Sequence, residues 1–218
     1  MTQPLQVELW LDISCPWCYL GRHRLDRAIE AAAAEHPVEL VLRSFQLDPG
    51  LSTKQPVPEY LAQMFAGTVE RGRAADQEVA ALAAADGLPY TTDRSVANTF
   101  DVHRALHLAR AHGVANRLFW DLQRGYFGGE LDPFDTDTLV RTAAAAGVPA
   151  DEARTALTGD AYADQVRREL AAGRALGITG VPFVGLGDGY GVTGLQSVDG
   201  YLAAIRTALA RRPDPVAT

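Results

Sequence analysis

The only two cysteines of this 218-residue chain stand three positions apart, and their surroundings constrain the fold more than any other stretch. Just before the pair, apolar residues alternate with Gln6, Glu8 and Trp10, and this alternation predicts a strand. The apolar residues are Leu5, Val7, Leu9 and Leu11. Pro16 suits the first position of a helix, where its missing N–H costs nothing. Cys15 is therefore expected at a helix N-terminus and Cys18 one turn inside, near enough to form a disulfide.

This placement sets the expected reactivity of the two thiols. The free N–H groups and the positive dipole end of a helix stabilise a thiolate at its N-terminus, and such positions lower the pKa of a cysteine. We therefore predict that Cys15 is the attacking thiolate and that Cys18, facing the body of the protein, is the resolving thiol. A C-x-x-C pair after a strand and before a helix is typical of a redox centre.

Three other interpretations of the cysteine pair stay open. A structural zinc site needs four ligands, and the chain has no further cysteine and no histidine at a usual spacing from the pair, so we expect no metal. The pair could instead be an inert structural disulfide. It could also serve glutathione conjugation or isomerisation rather than dithiol exchange.

Other polar residues have less specific patterns. Asp12 precedes the motif and either accepts the Cys18 proton or hydrogen-bonds the turn. Asp101, His103 and His107 fall on one predicted helix, where a spacing of four can form a metal pair, but a third ligand is not evident. We interpret these three as polar packing or groove-lining residues.

Composition excludes several classes of function. The chain is 47% hydrophobic with a net charge of −7, and no basic run or stripe indicates nucleic-acid binding. No apolar run reaches the length of a membrane span. The first four residues show no basic and apolar signal segment. We therefore expect a cytoplasmic protein, in which a C-x-x-C pair favours transient, catalytic chemistry.

The order of predicted elements indicates an α/β fold. A second strand over 38–47 completes a parallel strand–helix–strand unit. Helical patterns without a convincing strand then run from Pro58 to about Leu176. These helices are predicted over 58–65, 69–85, 97–111, 115–126, 136–146, 150–157 and 162–176. A strand over 180–186, a glycine-rich turn, a strand over 192–195 and a helix over 198–211 close the chain.

Neither the first unit nor the terminal hairpin can form a core alone. The simplest fold joins them into one mixed four-stranded sheet with a large all-helical insertion. We assign residues 1–57 and 177–218 to the sheet domain and 58–176 to the insertion, whose last helix packs on the sheet domain. Pro182 at the entrance of the third strand is either cis or an ordinary trans proline at a strand edge.

Several segments together resemble the DsbA family of the thioredoxin superfamily, in particular its cytoplasmic FrnE-like thiol–disulfide oxidoreductases. The specific ones are Ser14-Cys-Pro-Trp-Cys-Tyr-Leu-Gly21 and Gly177-Ile-Thr-Gly-Val-Pro-Phe183. The supporting ones are Phe45-Gln-Leu47, Asn98-Thr99 with His103-Arg104, and Gly194-Leu-Gln196. The matching segments run from the first predicted strand to the last.

The resemblance implies a thioredoxin fold in which Pro182 is cis and packs beside the cysteines. It implies that the backbone of Val181 binds the substrate chain, and that Pro16 and Trp17 tune the stability of the thiolate. The implied substrates are peptide or protein thiols and disulfides, with no cofactor except glutathione as a redox co-substrate. The direction, as oxidase, isomerase or reductase, stays open. A homodimer is compatible with the resemblance but has no sequence signal.

A second group of proteins has a similar inserted architecture: the kappa-class glutathione transferases and the 2-hydroxychromene-2-carboxylate isomerases. These enzymes typically have serine where this chain has Cys15, and they lack the second thiol. With Cys15 present, bound glutathione would form a mixed disulfide that Cys18 could resolve. A glutathione-dependent transferase or isomerase is therefore the alternative function. Non-catalytic binding through apolar surface around Trp17 is the third.

Overall fold

A computed structural model describes residues 3–65, 67–187 and 189–212 of the chain. The strands span Leu5–Leu11 (β1), Val38–Ser44 (β2), Gln55–Pro56 (β3), Ser95–Val96 (β4), Phe183–Leu186 (β5) and Gly191–Thr193 (β6). The helices span Pro16–Ala33 (α1), Val57–Met64 (α2), Val69–Ala85 (α3), Phe100–Ala111 (α4), Ala115–Gly128 (α5), Thr136–Ala146 (α6), Ala150–Thr158 (α7), Ala163–Ala175 (α8) and Val198–Arg211 (α9). The predicted bounds of α3, α6 and α9 are confirmed at both ends.

The chain divides into two compact units. The first unit comprises the residues up to Phe45 and those from Gly173 onward, and it contains both cysteines. The second unit, Gln46–Ala172, contains α2 to α7 and most of α8. The insertion bounds inferred from the sequence, 58–176, remain a prediction.

The first unit is built on a mixed four-stranded sheet, as the element order predicted. Its strand order is β2-β1-β5-β6. β1 pairs in parallel with β2 and antiparallel with β5, so that Leu9 lies opposite Leu42 on one side and Val184 on the other. β5 and β6 form an antiparallel hairpin. The end of β1 leads into the cysteine motif. Because Trp10 pairs with Phe183, the start of β5 lies beside this end of β1.

One face of β1 is buried along its whole length, and the other face is buried only at Trp10. The four aliphatic residues that predicted the strand are buried, which accounts for the alternating pattern. Trp10 lies on the opposite face and is also buried. Only Gln6 and Glu8 on that face reach solvent. Gly173 lies against the Trp10 ring, because a Cβ at that position would come within 2.8 Å of the indole Cζ3. A larger residue than glycine at 173 would displace this ring.

The second strand is shorter than the sequence predicts. β2 ends at Ser44 rather than Leu47, although the Phe45 N–H still bonds to the Leu11 carbonyl at 3.0 Å. The side chain of Gln46 then bonds to Asn98 Oδ1 at 3.1 Å and to Thr99 at 3.3 Å. These bonds direct the chain into the helical unit, which periodicity within the strand could not indicate.

The interpretation of the insertion as strand-free is wrong by one short ladder. Ser95–Val96 pairs antiparallel with Gln55–Pro56. Two residues per strand are too few to show an alternating pattern, and a proline in one of them argues against a strand in the sequence.

Apart from α4, the observed helices start and end within two residues of their predicted bounds. α4 begins three residues late, at Phe100, because Asn98 Oδ1 accepts the Phe100 N–H at 3.0 Å.

A buried ion pair lies inside the helical unit. The side chains of Asp76 and Arg94 are 2% and 4% exposed and form two hydrogen bonds, of 2.6 and 2.9 Å. Tyr90 donates its hydroxyl to Asp76 at 2.7 Å, and the guanidinium group lies 4.5 Å from the Tyr90 ring centroid. Removing one partner would leave the other charge buried and unpaired, which is strongly destabilising.

Within the described ranges, no helix is long and apolar enough to cross a membrane.

We predict that Asp76→Asn lowers the free energy of unfolding by about 3 to 5 kcal/mol, because Arg94 loses its counter-ion in a buried site. Chemical denaturation measures this change. The control is Asp164→Asn, which breaks an exposed pair with Arg167 and should cost less than about 1 kcal/mol. Equal small losses for the two variants would contradict this role for the buried pair.

Candidate active site

The cysteine motif lies at the junction between β1 and α1. After β1 the chain turns at Asp12, whose carbonyl accepts the Cys15 N–H at 3.2 Å. Cys15 is the N-cap of α1 with an extended backbone, and Pro16 occupies the first turn. The Cys15 carbonyl accepts the N–H groups of Cys18 and Tyr19 at 3.1 and 3.2 Å. The predicted position of Cys15 at the helix N-terminus is therefore confirmed, with its side chain free of capping bonds.

The two thiols occupy different environments. Cys18 is fully buried, whereas Cys15 retains 2% of its surface. Burial raises the pKa of Cys18 well above its ordinary value, and the neighbouring Cys15 raises it further. The Cys18 thiol therefore stays protonated at neutral pH, the state expected for a resolving thiol. Trp17 between them is 40% exposed, while Pro16 is half-buried.

The second part of the candidate site is the turn that precedes β5. The Val181–Pro182 peptide bond is cis, as the resemblance implied. The Cys15 thiol donates to the Val181 carbonyl oxygen at 3.5 Å, and Pro182 is buried. The Gly194 N–H bonds to the Pro182 carbonyl at 2.8 Å and fixes the turn to the end of β6. Cys15, Val181 and Pro182, inferred from separate parts of the sequence, thus come together.

Asp12 is buried beneath the motif. Its Oδ1 accepts the Ser14 N–H at 3.5 Å, so the predicted hydrogen bond within the turn is present. A hydrogen bond with the Asp12 backbone also acts on Cys18, where it partly opposes the rise in pKa caused by burial. A role of the Asp12 carboxylate in moving the Cys18 proton stays a prediction.

The polar residues predicted on α4 do not form a metal site. His107 Nε2 lies 3.0 Å from a Glu169 carboxylate oxygen, Asp101 pairs with Arg104 at 2.8 Å, and His103 is fully buried. In the part of the chain that the structure describes, no three His, Cys, Asp or Glu side chains come together as metal ligands. The buried contact with Glu169 supports the interpretation of His107 as a polar packing residue, whereas the side chain of Asp101 is 57% exposed.

Sequence reasoning missed one residue beside the motif, Tyr201. It is fully buried in α9, and its hydroxyl donates to the Gly194 carbonyl at 3.3 Å. Its hydroxyl oxygen would lie 3.1 Å from a Cβ added at Gly21 of α1. The only available signal was its place on the buried stripe of α9 with Ala204, Ile205 and Ala208, and this stripe does not distinguish a core tyrosine from a functional one.

Comparison with known proteins identifies the same architecture. A family model described as "DSBA-like thioredoxin domain" matches residues 6–206. A solved structure described as a "probable DsbA oxidoreductase" from Streptomyces coelicolor is 41% identical, with a TM-score of 0.91, and the match covers 98% of this chain and 93% of that one. A search of curated protein sequences found no match.

Two more distant structures share the fold. A 2-hydroxychromene-2-carboxylate isomerase is 14% identical with a TM-score of 0.70, and the match covers 95% of each chain. The cytosolic disulfide reductase DsbM from Pseudomonas aeruginosa, solved with GSH, is 22% identical with a TM-score of 0.62; the match covers 94% of this chain and 100% of that one. At these identities the likeness concerns the fold alone.

We predict that iodoacetamide at about pH 7 alkylates Cys15 at least about tenfold faster than Cys18 in the folded, reduced protein. The raised pKa of Cys18 reduces its thiolate fraction, and one pKa unit corresponds to a factor of ten. Mass spectrometry of proteolytic peptides measures the two rates. In denaturant, where both thiols are exposed, the rates should converge. Faster modification of Cys18 in the native protein would be inconsistent with the assigned order of reactivity.

Proposed function

We propose that this chain, which belongs to the family of DSBA-like thioredoxin domains, is a thiol–disulfide oxidoreductase whose redox pair is Cys15 and Cys18. The observation that carries the proposal is the asymmetry of the pair. Cys15 is the N-cap of α1 and its thiol donates to the Val181 carbonyl, whereas Cys18 is fully buried one turn further along the helix, where its pKa is raised. A nucleophile with a resolving thiol at hand is what disulfide exchange through a mixed disulfide requires.

In the oxidising direction, a substrate thiolate attacks Cys15 Sγ of the Cys15–Cys18 disulfide. A bond forms between the substrate sulfur and Cys15, the bond to Cys18 breaks, and Cys18 leaves as a thiolate. Burial raises the pKa of Cys18, so this thiolate readily takes up a proton. A second substrate thiolate then attacks the substrate sulfur of the mixed disulfide and releases Cys15. The substrate loses two electrons, and the protein gains them as a dithiol.

In the reducing direction the same intermediate forms from the other side. The Cys15 thiolate attacks a substrate disulfide and expels one substrate sulfur as a thiolate. Cys18 loses its proton and attacks Cys15, which releases the second substrate thiolate and closes the Cys15–Cys18 disulfide. Both directions pass through one mixed disulfide at Cys15, so the proposal covers oxidase, isomerase and reductase activity.

We propose peptide or protein chains as the substrates. The polar backbone of Val181 lies at hydrogen-bonding distance from Cys15, which suits an extended chain that places its own cysteine at that sulfur. Pro182, which is buried, would hold the neighbouring Val181 backbone in place for this chain, and Trp17, exposed by 40%, offers an apolar surface beside it. Pro16 fixes the start of the helix between the two cysteines and so contributes to the stability of the Cys15 thiolate.

We further propose that glutathione is a redox co-substrate of this protein and that the protein works in the cytoplasm. The structure of the cytosolic disulfide reductase DsbM with GSH supports both only by likeness of fold. The alternative, a glutathione-dependent transferase or an enzyme resembling 2-hydroxychromene-2-carboxylate isomerase, draws on the same kind of likeness. Such an enzyme would need glutathione for every turnover but would not need Cys18. Dependence on Cys18 therefore separates the two functions.

We predict that Cys18→Ser accumulates a stable mixed disulfide at Cys15 when the reduced protein meets a peptide disulfide. The variant keeps the nucleophile but lacks the thiol that resolves the intermediate. Intact-protein mass spectrometry detects the adduct. Wild-type protein should pass through the adduct and finish with a Cys15–Cys18 disulfide and a reduced peptide.

The matched control is Cys15→Ser, which keeps the buried thiol and removes the nucleophile. It should form almost no adduct, because Cys18 is fully buried and protonated. Equal adduct formation by both variants would reverse the assignment of roles. Wild-type protein that retains glutathione at Cys15, and never forms the internal disulfide, would favour the transferase or isomerase function instead.

A further inference from the structure

A fully buried phenol, Tyr201, lies next to the candidate site and has no part in the exchange described above. It is the fourth residue of α9 and has 0% exposure. Its hydroxyl donates to the Gly194 carbonyl oxygen at 3.3 Å. If the hydroxyl had no role, phenylalanine could replace this tyrosine without effect. What the hydroxyl does therefore depends on the group that accepts its hydrogen bond.

The partner residue connects Tyr201 to the substrate-facing turn. Gly194 accepts the tyrosine hydroxyl with its carbonyl and donates its own N–H to the Pro182 carbonyl at 2.8 Å. The adjacent Val181 carbonyl in turn accepts the Cys15 thiol at 3.5 Å. Gly194 has a φ of +75°, a conformation that glycine adopts readily. A short series of hydrogen bonds therefore runs from α9 through the end of β6 to Cys15.

Tyr201 also meets the helix that carries the cysteines. A Cβ built on Gly21 would lie 3.0 Å from Pro182 Cγ and 3.1 Å from the Tyr201 hydroxyl oxygen. Gly21 follows Cys18 by three residues and so shares its face of α1. The proline ring and the phenol thus converge on α1 one turn behind the resolving thiol, where a methyl group at position 21 would press against both.

The hydroxyl is available as a donor over the whole working range of pH. Burial, and to a smaller extent the charge of Cys18, raises the pKa of Tyr201 to about 12, although a hydrogen bond with the Gln196 backbone lowers it in part. The groups that act on the phenol are Cys18 and Arg24 of α1, and the backbone of the segment before α9. Tyr201 therefore acts through its hydrogen bond and not by exchanging a proton.

We propose that Tyr201 is a positioning residue whose hydroxyl holds the Val181–Pro182 turn against Cys15, and that it thereby favours reaction with peptides over reaction with small thiols. A peptide must place its backbone on Val181 while its sulfur meets Cys15, so its rate depends on where the turn is held. A small thiol needs only the Cys15 sulfur. The inference rests on the proposed oxidoreductase function.

The test compares two reductants of the oxidised protein in wild type and Tyr201→Phe. One is dithiothreitol, and the other is a flexible peptide with two cysteines; each gives up two electrons and two protons and closes its own disulfide. We expect the second-order rate constant with the peptide to fall about fivefold in the variant, as for the loss of one ordinary hydrogen bond. The constant with dithiothreitol should change by less than about twofold.

The chain offers a matched control in Tyr126→Phe. Tyr126 is also a buried phenol, 3% exposed, that donates to a backbone carbonyl, that of Ser95 at 2.9 Å, but it belongs to the helical unit. Its removal should leave both rate constants unchanged, even if the melting temperature falls as much as in Tyr201→Phe. A second variant, Gly21→Ala, adds a methyl group against Pro182 and Tyr201 in a helix that favours alanine. It should reproduce the selective loss with the peptide.

Two results would overturn the inference. An equal fall in both rate constants of Tyr201→Phe and Gly21→Ala would indicate a general effect on the cysteines or the fold. An unchanged peptide rate in folded Tyr201→Phe would show that the turn does not depend on the hydroxyl. Failure of the oxidised wild-type protein to react with the peptide at all, by contrast, would refute the proposed function itself.

Discussion

One hydrogen bond, from the Cys15 thiol to the Val181 carbonyl, joins two parts of the chain that are 166 residues apart. It depends on the central place of β1 in the sheet. β1 leads directly into the cysteine motif, and its antiparallel pairing puts Trp10 opposite Phe183, the residue after Pro182. The sheet thus brings the N-terminus of α1 and the turn before β5 to one location. The chemistry proposed for the cysteines follows from this meeting of two backbone segments.

The same junction separates the properties of the two thiols. Cys15 is the N-cap of α1, and its thiol donates to the Val181 carbonyl. Cys18, one turn further, is enclosed by the core, and burial raises its pKa. A difference of three positions in the sequence therefore separates a thiol at the start of the helix from a fully buried thiol with a raised pKa, which is the asymmetry that the proposed exchange uses. No metal or cofactor is needed for an exchange of two electrons between a dithiol and a disulfide.

Local sequence patterns predicted the strands and helices whose formation depends on residues close together in the chain. The alternation in β1, the proline at the start of α1 and the helical patterns of the insertion predicted these elements, and the two motifs predicted which segments form the candidate site. The parts that failed depend on distant partners. The β3–β4 ladder needs residues some forty positions apart to pair, and the early end of β2 reflects the bonds of Gln46 to Asn98 and Thr99. Tyr201 was missed because its neighbours Gly194 and Gly21 lie outside any sequence pattern that includes it.

The central claim is that Cys15 and Cys18 form a cycling redox pair, and equilibration in glutathione buffers of graded potential tests it most directly. We expect one two-electron transition, in which the intact mass falls by two hydrogen atoms as the internal disulfide closes. A midpoint less negative than about −200 mV would indicate an oxidase or isomerase, and one near −270 mV a reductase. A protein that never forms the internal disulfide at any ratio, and instead holds glutathione at Cys15 or binds it without reaction, would contradict the account.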